Sequence, residues 1–188
     1  MNLARTTIAP LFVLATLTTA LAAGCGGGGP YGHAVNYAPY GEEEKQLGPA
    51  REYDPVMYGR QPDEWRKKPV HLFGVVTNRG TSGGGAYVTV SVRRLEPRNL
   101  CDSNADEETC RVTVSDAEFG VVHGMMNLHG EDDVGEHSVG VGSLVRIVGN
   151  FGEDVDPNDA APIIRVAWYR HWPRGYFVTK AAAAHMRQ

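Results

Sequence analysis

The run at residues 139–151, V-G-V-G-S-L-V-R-I-V-G-N-F, constrains the fold more than any other stretch. Val145, Ile147 and Gly149 fall on one side of a period-2 ribbon, and Leu144, Arg146 and Val148 on the other. Such alternation belongs to a strand with two distinct faces, and glycines at both ends let it enter and leave a curved sheet sharply. Residues 70–77, 86–95, 111–116 and 163–171 read as further strands. In the second of these Val88, Val90 and Val92 point inward, while Tyr87, Thr89, Ser91 and Arg93 point outward. Val112 and Val114 point inward in the third. In the last, Ile164, Val166 and Trp168 share one face, and Arg165, Tyr169 and His171 the other. Gly74 interrupts the first strand where a bend would let it serve both halves of a small barrel. Residues 119–128 read as extended, because Gly120 and Gly124 each weaken a helix by roughly 1 kcal/mol relative to Ala.

The V-R-I-V-G run behind a small-residue turn resembles the fourth strand of an OB-fold barrel. The resemblance covers residues 70 to about 172 and implies an all-β fold, a five- or six-stranded OB-like barrel, assigned here to residues 70–178. The glycine-rich residues 79–85 read as a hairpin connection. No G-K-[ST] is present and a strand, not a helix, follows, which argues against a phosphate-binding loop.

Ahead of the barrel, residues 1–24 carry Arg5, a short apolar core and small residues, the pattern of a secretory signal. Ala22, Ala23 and Gly24 directly before Cys25 resemble the lipobox of bacterial lipoproteins. Leu21 stands one place further from the cysteine than is usual in that pattern. The resemblance implies a diacylglyceryl thioether on Cys25, an acylated amino terminus and, with Gly26 rather than Asp following, the outer membrane of a two-membrane bacterium. Several acyl chains anchor firmly, since each buried methylene contributes roughly 0.8 kcal/mol. Export also meets an oxidising compartment, so Cys101 and Cys110, which bracket a polar loop, are expected to form a disulfide.

Residues 25–69 scatter tyrosines among Pro, Gly and the acidic run Glu42–Glu44 without a lasting period, and are expected to form a flexible tether. Its tyrosines could instead dock on the barrel or on a partner. Within it, Q-P-D-E-W-R-K-K suits a short helix with Pro62 in the first turn and Trp65 as an anchor into the barrel. Residues 179–188 are expected to form a short helical tail capped by Thr179.

Acids concentrate in loops, whereas arginines lie within strands. Arg93, Arg111, Arg146 and Arg165, with Tyr87, Tyr169 and His171, are therefore the candidate ligand or partner face, since OB-folds hold extended ligands by stacking and charge-assisted hydrogen bonds. The competing reading is a solvated outer face. Asp154, Asp156 and Asn158 have the alternate oxygen spacing of a calcium loop, but Asp159 replaces the turn glycine and Arg165 the twelfth-position Glu, which excludes an EF-hand. Adventitious calcium stays open. His123, His129 and His137 lack H-E-x-x-H spacing and read as solvated loop residues. No G-x-S-x-G is present. No metal, cofactor or catalytic residue is assigned.

Removing residues 1–24 takes away one base and no acid, leaving 17 basic and 22 acidic residues, a net charge of −5. That balance disfavours a dedicated nucleic-acid binder. The expected function is that of a non-catalytic envelope lipoprotein, anchored in the membrane by Cys25 and binding an envelope protein or polymer as an accessory subunit of a larger assembly. Cell-surface nucleic-acid binding is the alternative, and a metal-dependent envelope hydrolase the weaker one.

Overall fold

The structure, a computed structural model, describes residues 35–102 and 109–185. Cys25 and the signal segment lie outside the described residues. Among the described residues, eight strands and three short helices run in the order α1 (Gly41–Leu47), β1 (Arg51–Glu52), α2 (Pro55–Arg60), α3 (Pro62–Arg66), β2 (Val70–Ser82), β3 (Gly85–Arg93), β4 (Val112–Val114), β5 (Val121–Met126), β6 (Leu144–Val155), β7 (Pro162–Trp172) and β8 (Phe177–Thr179). No helix among the described residues is long and apolar enough to cross a membrane.

Strands β2, β3, β5, β7 and β6 pair in that order, and β6 returns to β2, closing a five-stranded barrel with β1 as an added sixth strand. Closure depends on β2, which pairs with β3 from Phe73 to Ser82 and with β6 from Val70 to Val75. Gly74 lies in both pairings, and a Cβ there would stand 2.2 Å from Val90 Cγ1 and 2.7 Å from the Ser91 carbonyl. Only a bare backbone lets the strand fold across itself at that point. The expected inward residues Val88, Val90, Val92, Val145 and Ile147 fill the barrel with Val70, Leu72, Val122 and Ile164.

Sequence expectations change at two places in this part of the chain. Residues 111–116 are not a barrel strand. β4 instead pairs in parallel with β8, and Val112 and Val114 join a second core outside the barrel with Phe73, Leu144 and Trp172. The third barrel strand is β5, from the segment read as extended. Of the expected helical tail at residues 179–188, Thr179 ends β8 and Ala182–His185 form a single 3-10 turn, and residues 186–188 lie outside the described residues.

The segment read as a tether is folded onto the barrel over its described part. Tyr53, Tyr58 and Trp65 are buried in the barrel core, with Tyr53 and Tyr58 rings 5.0 and 4.7 Å from that of Phe151. Asp54 caps α2 by accepting from Val56 N and Met57 N, and Pro62 opens α3. Trp65 is the expected anchor, and the Arg51 guanidinium lies 3.5 Å from its ring centroid. These aromatics close one end of the barrel, which a five-stranded wall leaves open. Each buries roughly 150–250 Å², enough to hold the segment without regular periodicity.

Cys101 and Cys110 are disulfide-bonded. The bond ties down the excursion between β3 and β4, where Leu95 bridges to Val114 and Leu100 to Arg111.

Candidate functional site

The seven residues expected to share one face occupy six separate environments. Arg146 is one of the two arginines that grip Glu43. Its Nη1 donates to Glu43 Oε1 at 2.5 Å, and Arg170 Nη1 donates to Oε2 at 2.7 Å. Tyr37 donates its hydroxyl to the same Oε1 and accepts from Arg146 Nη1 at 3.1 Å. The Glu43 side chain is 0% exposed, against 8% and 5% for Arg146 and Arg170. Phe73, Tyr40 and Trp172 pack their rings 4.6–4.7 Å from the guanidinium carbons. Burial raises the Tyr37 hydroxyl well above its ordinary range, and burial together with the Arg146 charge lowers His71 to about 4. At Arg146 and Arg170 the outer side of β6 and β7 is thus covered by Glu43 of the chain's own α1.

Tyr169 and His171 were expected to point outward with Arg165. A bulge between Val148 and Gly149 sets Trp168 opposite Val148 but Val166 opposite Gly149, so Ala167 is the extra residue. One inserted residue reverses the parity of everything beyond it. Ile164 and Val166 face inward as expected, but after the bulge Tyr169 packs against the core and Trp168 lies outside beside Tyr40. Tyr169 donates to Asp132 Oδ2 at 2.8 Å, and His171 Nδ1 lies 3.1 Å from Asp132 Oδ1. Burial lowers the pKa of His171, with Asp132 acting in the opposite direction. Both residues therefore pin the β5–β6 loop.

Arg93 binds the Asp116 carbonyl and lines a cleft of about 350 Å³ with Arg94, Tyr53 and Phe119. Arg111 Nε donates to the Gly175 carbonyl at 2.8 Å beside Tyr176. Of the expected set only Arg165 is exposed.

Tyr87 belongs to a cluster on the β3–β5 face. Its ring stacks on His123 at 5.2 Å, and its hydroxyl donates to Asp156 Oδ2 at 2.7 Å. His123 is buried on β5, not solvated in a loop, and does not meet His129 or His137, both exposed. Its Nε2 lies 2.9 Å from Asp159 Oδ2, and its Nδ1 3.3 Å from Thr89 Oγ1. Asp156 and Asp159 come from the turn between β6 and β7. Asn158 N donates to Asp156 Oδ1 and Ala161 N to Asp159 Oδ1, and these backbone donors are the largest cause holding each carboxyl below its ordinary pKa. Asp154, the first position of the calcium pattern, lies on β6 and is exposed. Linear spacing conceals this cluster, because its members meet only when the β6–β7 turn folds over β5.

A further surface was not anticipated. β7 pairs with β5 only from Ile163 to Arg165, so among the described strands its later residues pair with β6 alone. Beside this open edge a groove of about 330 Å³ is lined by Asn127, His129, Val166, Ala167, Trp168 and Tyr169.

No protein-family model matches the chain, and no curated protein matches it.

Proposed function

We propose that the chain is a lipid-anchored protein of a bacterial cell envelope, held in the outer membrane by acylated Cys25, and that its barrel is a non-catalytic binding module serving as an accessory subunit of a membrane-associated assembly. The lipobox-like sequence supports the anchor. The folded segment limits its reach, since about ten residues separate Cys25 from the described part of the chain at Val35 and ten residues span at most roughly 35 Å. A barrel so held meets partners at the membrane surface.

The observation that carries the binding role is the open half of β7. An unpaired edge beside a groove accepts an extended segment by strand addition, with side-chain pockets supplying specificity. Trp168 of β7 and exposed Tyr40, at the start of α1, have rings 6.5 Å apart outside the barrel, and exposed Arg165 is the last residue of β7 paired with β5 before the open stretch. Tryptophan, tyrosine and arginine dominate binding energy at protein interfaces. These features favour a protein partner over a polymer.

Nucleic acid is disfavoured by charge. OB-folds that take oligonucleotides use strands two and three with the adjoining loops, and here the end of β6 and the β6–β7 turn expose Glu153, Asp154 and Asp159.

The test is co-purification from solubilised membranes with Arg165→Glu/Trp168→Ala. Loss of two anchors should cost 2 kcal/mol or more of binding, a loss of about thirtyfold or more in affinity, while the variant stays folded and in the membrane fraction. A folded double variant that retains every partner of the parent would refute the assignment of this edge.

A further inference from the structure

One group of histidine and acidic side chains among the described residues brings three ligand atoms within 4.8 Å of one another: His123, Asp156 and Asp159. We propose that these residues bind a first-row divalent transition-metal ion of the zinc type, which ties the β6–β7 turn to β5.

The donor set is one imidazole nitrogen and two carboxylates. That composition suits zinc, whereas calcium and magnesium prefer oxygen alone. With metal–ligand distances of about 2.0–2.2 Å, neighbouring donors stand roughly 3–3.5 Å apart. His123 Nε2 is already 2.9 and 3.1 Å from the two oxygens of Asp159, whereas Asp156 Oδ2 is 3.9 Å from Nδ1 on the other side of the ring. One ligand atom from each of the three residues lies within 4.8 Å of the others, and Asp156 has to turn toward Nε2 to complete the set. The Asp159 side chain, 43% exposed, leaves an opening through which water can fill the remaining positions.

The surroundings orient the donors as metal sites require. Thr89 Oγ1 lies at the His123 Nδ1 and can fix the ring's tautomer, leaving Nε2 for the ion. Tyr87 donates to one oxygen of Asp156, while Asn158 N and Nδ2 hold the other. Partners of this kind commonly set metal affinity by factors of 10–100.

The test uses the full mature chain in detergent, stripped with chelator and titrated with Zn²⁺ by calorimetry and with Co²⁺ by visible absorption. One equivalent of Zn²⁺ and a Co²⁺ ligand-field band are expected. Both should weaken at least 100-fold in His123→Gln and Asp159→Asn. Tyr87→Phe keeps all three ligands and loses only the donor to Asp156, so it should bind 10–100-fold more weakly while circular dichroism shows a native fold without metal. Absence of stoichiometric Zn²⁺ uptake by the folded parent would overturn the proposal. So would uptake that survives His123→Gln, which places the ion on other acids, or Ca²⁺ binding as tight as Zn²⁺.

Discussion

Replacing Glu43 with alanine should be among the most damaging single changes in the chain, although the residue sits in an acidic run that reads as solvated surface. The carboxylate is fully buried between Arg146 and Arg170, and each of its oxygens accepts from a guanidinium. Removing it takes away the carboxylate that both buried guanidinium groups share, and the acceptor of the Tyr37 hydroxyl proton. Breaking a buried ion pair in this way typically costs about 3–5 kcal/mol, a large share of the roughly 5–15 kcal/mol that holds a domain together. For a chain of this size that corresponds to a fall in Tm of about 6–20 °C. Glu43→Gln keeps the shape but removes the charge, and should recover only part of the loss. The triple variant Glu43→Met/Arg146→Met/Arg170→Leu removes every charge together and should be far closer to the parent than Glu43→Ala, because the desolvation cost disappears with the attraction. Thermal and urea unfolding of the three variants provide the assay. A Glu43→Ala change of less than about 1 kcal/mol would show that α1 is not docked in solution, and would refute the reasoning.

Other expectations follow from the same structure. Gly149→Ala should destabilise by about 1–3 kcal/mol or more in urea unfolding, since a Cβ there would stand 2.2 Å from the Arg165 carbonyl where β6 crosses β7. His71 titrates near 4 in the fold against about 6.5 unfolded, so the unfolded state takes up its proton first. Stability should therefore fall as pH drops from about 6.5 to about 4, and His71→Phe should flatten that part of the profile. Reducing the Cys101–Cys110 bond should lower stability by less than the roughly 3 kcal/mol expected for a fifteen-residue loop, because its closed loop is shorter.

The barrel walls were legible because their inward residues recur with period 2, and Val88, Val90, Val92, Val145 and Ile147 lie where that period places them. What escaped the pattern has particular causes. Residues 36–68 are held by aromatics at irregular spacing, of which Tyr53, Tyr58 and Trp65 meet in one cluster around Phe151, and such contacts leave no period to read. Glu43 differs from Glu42 and Glu44 only in what faces it, which is two arginines more than a hundred positions away. Tyr169 and His171 were assigned to the wrong side because a single bulge at Ala167 reverses parity without a sequence mark. Residues 111–116 alternate as a barrel strand would, but alternation reports two faces and not which sheet the strand joins. The His123 cluster draws on β5 and a distant turn, so no motif of fixed spacing could reveal it.

We propose that the folded barrel is held close to a membrane through Cys25. Mass spectrometry of the amino-terminal peptide, taken from protein extracted from the membrane fraction, tests this most directly. The expected mature chain begins at Cys25 and carries a diacylglyceryl thioether with an acylated amino group. A mature chain with an unmodified Cys25, or one cleaved at another position and recovered in the soluble fraction, would contradict it.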